Sequence, residues 1–209
     1  MAERNPRDLD DVRTRILKHC DRPGFAQVAE YAKPVGGKSI TGPSVRFVEA
    51  AIQEFGNVDV TSTPVYDDDE KRIVRVTVTD LERNITRTGD AVAEKFVERK
   101  RTKTGDEVIG ERINSFGDVV YRVRATEDDF ANKIGSAVSK MERQVGLKIL
   151  PPDIVAESMA RCAKTRADRD ARDPDAARKA IADAFATIGV TPAALKEYLG
   201  HDLATCSPT

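Results

Sequence analysis

The chain has few of the side chains from which metal and covalent catalytic sites are commonly built. Its 209 residues include three cysteines, two histidines and no tryptophan. Cys20, Cys162 and Cys206 are far apart and odd in number, which indicates reduced thiols and no disulfide framework. His19 and His201 alone supply little material for a histidine-based site. We therefore expect no catalytic residues, no metal and no cofactor.

Long apolar runs are also missing. No stretch approaches 18 consecutive apolar residues, and the amino-terminal sequence MAERNPRDLDD is polar and charged. We expect no membrane segment and a soluble, cytoplasmic protein. The formal net charge of −1, from 34 basic and 35 acidic residues, argues against a wholly basic nucleic-acid coat.

Helical spacing of apolar residues appears on both sides of a central region. It predicts a helix over 12–20, a helix over 44–55 with Pro43 in its first position, and a helix over 126–146. Thr126 is the expected N-cap of the last of these, because acidic residues follow it at once. The segment 33–43 is rich in glycine and proline and is predicted as a loop.

Between these helices the apolar period changes from 3.6 to 2. The alternation is clearest over 74–78, and it predicts a long strand over 85–101 and a hairpin over 108–124. Residues 90–103, which overlap the second half of this strand, also have helical propensity, so strand and helix both stay open there. The predicted fold class is α+β, an antiparallel β-meander packed by helices, with a small helical module at the carboxyl end.

The charge pattern predicts three regions. Residues 1–163 form the meander and helix core, and residues 164–174 (KTRADRDARDP), almost devoid of large apolar groups, form a charged linker. Residues 175–209 form a small helical module, with Thr191-Pro192 as N-cap and first helical residue and Gly200 as the stop.

Two enzymatic interpretations fit the sequence poorly. The segment 32–39 (AKPVGGKS) loosely matches a phosphate-binding loop, but Gly42-Pro43 would break the helix that such a loop requires. Asp80 with Glu98 and Lys100 imitates the acidic pattern of magnesium nucleases. In a simple hairpin these carboxylates would lie on the order of 40 Å apart, too far to share a metal ion.

The remaining signal is a local excess of positive charge. The segment 95–103 (KFVERKRTK) carries five basic side chains against one acidic, Glu98. With a period of two, Lys95, Arg99 and Arg101 share one face of a strand. Besides a binding surface, two other interpretations of these charges are a solvated strand face and ion pairing with the acidic turn 67–70. A basic sheet face favours the backbone of single-stranded nucleic acid. The aromatic residues nearby, Phe96, Phe116 and Tyr121, are expected to pack in the core. The candidate contacts are Lys38, Ser39, Arg46, Lys95, Arg99, Lys100, Arg101, Lys103, Arg112, Arg122, Arg124, Lys133 and Lys140.

The order of predicted elements resembles that of the single-strand annealing proteins of phage recombination systems, the RecT, Redβ, Erf and Sak group. The resemblance is carried by residues 37–57 (GKSITGPSVRFVEAAIQEFGN), 72–82 (RIVRVTVTDLE), 108–151 and 184–200. It implies a homo-oligomeric ring or filament that binds single-stranded DNA and anneals complementary strands without ATP, in the cytoplasm of an infected bacterial host. It also implies that residues 175–200 contact a host single-strand-binding protein or a phage exonuclease. The chain ends soon after Leu203, where the family would lead us to expect a further helix.

The leading hypothesis is therefore a non-enzymatic annealing protein of phage homologous recombination. The alternatives are a magnesium-dependent nuclease of such a system and a phage assembly or scaffold protein that does not bind DNA.

Overall fold

The computed structural model describes residues 5–35 and 38–206, with the backbone alone at Pro34, Val35 and Lys38. Contacts divide the chain into two compact units. Unit 1 comprises the described residues up to Val12 together with Ser44–Pro152, and unit 2 comprises Arg13–Pro43 together with the residues from Asp153 onward. Helices and antiparallel sheets are both present and the carboxyl-terminal part is helical, which confirms the α+β class.

The first sheet of unit 1 is built from the segment in which apolar and polar residues alternate. Its strands are β3 Val58–Asp67, β4 Lys71–Asp80 and β5 Ile85–Glu94. They are antiparallel and pair in the order β3-β4-β5, with the central strand buried on one face at Val74, Val76 and Val78. The predicted alternation over 74–78 is confirmed.

A second antiparallel sheet follows in the order β6-β8-β7, with bounds β6 Phe96–Arg99, β7 Val108–Ile113 and β8 Val119–Arg124. The predicted hairpin over 108–124 is confirmed, but the continuous strand over 85–101 is wrong. The chain leaves the first sheet after Glu94 and enters the second at Phe96. Lys95 lies between them, since its N–H donates to the carbonyl of Glu70 and its own carbonyl accepts from the N–H of Ala125. Part of the segment 90–103 is thus strand, and none of it is helix.

Two helices pack on the sheets of unit 1, α3 Val45–Phe55 and α4 Glu127–Gly146. Thr126 is the N-cap of α4 as predicted, because its hydroxyl accepts from the N–H of Asp129 at 3.1 Å. Ser44 caps α3 in the same way, whereas Pro43 belongs to the preceding strand and not to the first helical turn.

The contact of α4 with the first sheet depends on a glycine. Gly89 lies on β5 where a Cβ atom would overlap the thioether sulfur of Met141 and press on Val145. Because no side chain intervenes, α4 approaches the backbone of the sheet directly. The fully buried side chains of unit 1 include Phe47, Val48, Phe55, Val76, Val78, Val123 and Val145.

Unit 2 combines a hairpin with helices. The bounds are α1 Leu9–Cys20 (from Arg13 on), α2 Pro23–Val28, β1 Glu30–Val35, β2 Lys38–Pro43, α5 Pro152–Arg172 (from Asp153 on), α6 Pro174–Thr187, α7 Pro192–Leu199 and a 3₁₀ turn at Leu203–Thr205. The segment predicted as a Gly/Pro loop is thus a hairpin, in which Glu30 pairs with Pro43 and Val35 with Lys38. The phosphate-binding-loop interpretation is therefore wrong, because a strand and not a helix begins at Lys38.

The segment 164–174, predicted as a charged linker, is helical up to Arg172. Alanine, arginine and lysine favour helices, and Arg166 anchors this part of α5 to the carbonyl of Ala26 at 2.8 Å and to Glu30 at 2.6 Å. The caps predicted at the carboxyl end are confirmed, with Thr191 capping α7 and Gly200 in the left-handed conformation. In the part of the chain that the structure covers, no helix has the length and apolarity that a membrane crossing requires.

Candidate nucleic-acid interface

Several of the predicted phosphate-binding cations are held by acidic groups of the protein itself. Lys95 contacts Asp67 at 2.8 Å, and the hydrogen bonds from Arg72 and from Lys95 lower the pKa of Asp67 to about 2. Arg99 bridges Asp106 at 2.8 Å and Asp129 at 2.9 Å, which ties the loop after β6 to the first turn of α4. The densest basic segment of the sequence therefore serves in part to neutralise internal acids.

The same holds for four further candidates. Their cationic groups contact carboxylates at up to 3.6 Å, and two of them also donate to main-chain carbonyls. The pairs are Lys100 with Asp118, Arg112 with Glu98, Arg124 with Glu107 and the carbonyl of Asp69, and Lys133 with Glu94 and the carbonyl of Phe96. The bidentate bond from Arg112 lowers the pKa of Glu98.

A second group of candidates is exposed and has no ion pair among residues 5–35 and 38–206. Its members are Arg46 on α3, Arg101 and Lys103 in the loop after β6, Arg122 on β8 and Lys140 on α4. The guanidinium of Arg122 lies 3.9 Å from the centre of the Phe96 ring, which holds it in place without cancelling its charge. Such cations can meet a phosphate without first breaking an internal bond.

The two remaining candidates, Lys38 and Ser39, lie on β2 in unit 2. Ser39 is exposed, and the side chain of Lys38 lies outside the described residues. The other candidates belong to unit 1.

The loop after β6 contacts the turn between β7 and β8, and this turn carries an exposed aromatic ring. Lys100, at the start of the loop, bonds Asp118 in the turn between β7 and β8 at 2.9 Å. Phe116 stands in that turn with 88% of its surface exposed, so the expectation that it packs in the core is wrong. Its position is fixed by Asn114, whose side-chain oxygen accepts from the N–H groups of Phe116 and Asp118. An exposed ring of this kind can stack on a base.

On one side of the second sheet a cleft of about 510 Å³ separates it from the acidic turn between β3 and β4. Its walls mix charges of both signs, with Lys95, Arg122 and Arg124 facing Asp69 and Glu70. Asp69 and Glu70 would repel a polyanion in this cleft, so Arg101 and Lys103, which do not line it, are the better contacts and Arg122 is a weaker one.

Asp80, the first acidic residue of the nuclease alternative, is buried and forms an ion pair with an arginine of the protein itself. Asp80 is 2% exposed and accepts two bonds of 3.0 Å from the guanidinium of Arg7. Burial raises its pKa, but the bonds from Arg7 and from the N–H groups of Arg83 and Glu82 outweigh burial, so the pKa is lowered overall. Glu98 lies in the other sheet and is bound by Arg112. Among the described residues no group of three acidic, histidine or cysteine side chains could hold a metal ion.

The sequence did not reveal the role of Arg7. Its side chain, 2% exposed, also donates to the carbonyls of Phe55 at 2.9 Å and Gly56 at 2.8 Å, and its charge lies 3.5 Å from the centre of the Phe55 ring. It therefore links the carboxyl end of α3 to the carboxyl end of β4. A single arginine near the amino terminus gives no pattern from which this could be predicted.

The sequence also did not reveal a second basic surface. Arg83, Arg87 and Lys148 line a cleft of about 620 Å³ at the turn between β4 and β5. All three are exposed, and none has an ion pair within the described residues. They come from two separate parts of the sequence, so only the fold brings them together.

Comparison with protein-family models, with curated proteins and with solved structures finds no match to this chain.

Proposed function

We propose that the chain binds single-stranded DNA and anneals complementary strands without ATP, as a protein of phage homologous recombination. The observation that carries the proposal is the group of exposed cations without ion pairs in the described part of the chain, Arg101, Lys103 and Arg122, in a sheet and loop whose neighbouring turn exposes the ring of Phe116. Cations of this kind bind phosphates by releasing counterions, and a single aromatic ring gives stacking without base specificity.

The proposed contact set is smaller than the one that the sequence suggests. Breaking the internal ion pairs of Lys95, Arg99 or Arg112 in order to bind a phosphate would leave a carboxylate of the protein unpaired. Arg101, Lys103 and Arg122 require no such exchange. Arg46 and Lys140, exposed on the two helices of unit 1, add two further cations without ion pairs among the described residues.

In this proposal the protein holds one strand by its backbone and leaves the bases free to test a second strand. A homo-oligomeric ring or filament would keep the bound strand extended. Residues 175–200 would contact a host single-strand-binding protein or a phage exonuclease, and the site of action would be the cytoplasm of the bacterial host.

The test compares two triple variants of equal charge. In R101A/K103A/R122A three free cations are removed. In K164A/K179A/K196A three exposed lysines of unit 2 are removed, each of which is paired with an aspartate. Binding to a labelled oligothymidylate is followed by fluorescence anisotropy over a series of salt concentrations, and annealing is followed by the quenching of paired labelled strands.

We expect the first variant to lose affinity and annealing, and its slope of log affinity against log salt to fall by about 2, because each lost phosphate contact removes about 0.7. The second variant should behave as the wild type. Equal affinity and an equal salt slope in both variants would refute the proposed surface.

The alternatives give different results in the same assays. Magnesium-dependent cleavage that is abolished by D80N would indicate the nuclease, although Arg7 already occupies that carboxylate. Absence of any affinity for single-stranded DNA at low salt would indicate an assembly or scaffold protein.

A further inference from the structure

The cleft at the turn between β4 and β5 combines positive charge with an apolar wall. Arg83, Arg87 and Lys148 supply the charge, and the acid in the cleft, Asp80, is already neutralised by Arg7. The apolar wall is formed by side chains that remain partly exposed, among them Leu9, Ile85, Leu147, Ile149 and Pro151. A matching ligand would present both carboxylates and apolar side chains.

The chain itself carries such a segment at the turn between β3 and β4, which we call the hairpin tip, Val65 to Glu70. Val65 and Tyr66 are 46% and 47% exposed. Asp69 and Glu70 are exposed, and within the described part of the chain neither carboxylate has an ion pair.

The other two acids of the hairpin tip shape it. Asp67 is bound by Arg72 and Lys95. Asp68 accepts from the hydroxyl of Tyr66 at 2.7 Å and from the N–H groups of Glu70 and Lys71. The hairpin tip is thus a preformed turn, which lowers the entropy cost of docking. Its carboxylates Asp69 and Glu70 border the cleft of the second sheet but form no ion pair among the described residues, and they lie beside the partly exposed Val65 and Tyr66.

The hairpin tip and the basic cleft lie at opposite ends of the same sheet. Strand β4 begins next to the hairpin tip at Lys71 and ends next to the cleft at Asp80. Ten extended residues span roughly 30 Å, so the hairpin tip cannot reach the cleft of its own molecule. It can reach that of a second copy.

We propose that the hairpin tip of one copy docks into the Arg83–Arg87–Lys148 cleft of the next. The two surfaces differ, so the contact is head to tail, and repetition of it gives a ring or a filament. This inference rests on the proposed function in one respect, namely that the proposed annealing is carried out by a self-assembled protein. The docking residues are distinct from the proposed DNA contacts.

The test uses neutral variants and their mixture, in the absence of DNA. D69N/E70Q removes the charge of the hairpin tip, and R83Q/R87Q removes that of the cleft. Sedimentation velocity at low salt should show oligomers for the wild type and association weakened roughly tenfold or more for each variant. An equimolar mixture of the two should form dimers and nothing larger, because it contains only one working hairpin tip and one working cleft per pair.

The control is R101Q/K103Q, which should assemble like the wild type and lose DNA affinity. Conversely, R83Q/R87Q should assemble more weakly than the wild type and still bind a short oligonucleotide, so failure of the docking model and failure of the DNA-binding proposal are distinguishable. A wild type that is monomeric at every concentration, variants that assemble as the wild type does, or a mixture that forms no dimers would each overturn the inference.

Discussion

Replacement of Arg7 by methionine should destabilise unit 1 more than any replacement of an exposed arginine. The substitution keeps most of the length of the side chain and removes its charge and its donors. Asp80, with 4% of its side chain exposed, would then be a buried carboxylate without a counterion. Removal of one partner of a buried ion pair costs about 3–5 kcal/mol. The carbonyls of Phe55 and Gly56 would also lose their donor, and part of the cost of this loss is already included in the roughly 3–5 kcal/mol.

The measurement is urea unfolding followed by circular dichroism, with linear extrapolation of the free energy of unfolding to water. The control, R46M, removes an exposed arginine of α3 and should change the free energy of unfolding by about 0.5 kcal/mol or less. The double variant R7M/D80N should be less destabilised than the sum of its single variants, because the neutral amide that D80N introduces leaves no buried charge. If R7M and R46M unfold at the same urea concentration, the role assigned to Arg7 is wrong.

Two further predictions concern the same unit. The substitution G89A should lower the free energy of unfolding by about 1–3 kcal/mol, because its methyl group would overlap Met141. The substitution G135A on α4, where a Cβ atom meets nothing within 4 Å, should raise it by roughly 0.5–1 kcal/mol. Thermal unfolding of both variants checks this, and a stabilised G89A would contradict the close approach of α4. Because the pKa of Asp80 is lower in the folded state, the stability from its ion pair is present above about pH 4 and is lost as the pH falls through the folded pKa. Urea midpoints measured from neutral pH downward should therefore fall more steeply in the wild type than in D80N, and parallel curves would argue against this.

Much of the secondary structure of unit 1 could be predicted because its signals are local. The period of two at Val74, Val76 and Val78 comes from one strand with one buried face, and the cap at Thr126 depends on residues three apart. Such patterns need no knowledge of the rest of the fold.

The wrong predictions concern segments whose structure depends on contacts with residues far away in the sequence. The break at Lys95 depends on main-chain bonds to Glu70 and Ala125, which lie 25 and 30 residues away. The helix through residues 164–172 is held by Arg166 against residues more than 130 positions earlier. Neither contact leaves a pattern within the segment itself.

The candidate site shows the same limit. The sequence indicates where cations are dense, but it cannot show which of them are already neutralised. Arg99 and Arg101 are two residues apart, yet the first is bound to two aspartates and the second is exposed without an ion pair among the residues described. Only the fold distinguishes a structural cation from one that is free for a ligand.

The connection between the two sheets of unit 1 has a consequence for how the sequence can vary in length. A single residue, Lys95, joins β5 to β6, and both its N–H and its carbonyl are bonded. An insertion there would shift β6 by one position, so that Val97 would turn outward and the charged side chain of Glu98 inward. The largely exposed loop 100–107 is not held between two sheets in this way. Length differences among divergent copies of this chain should therefore gather in that loop and be absent at Lys95.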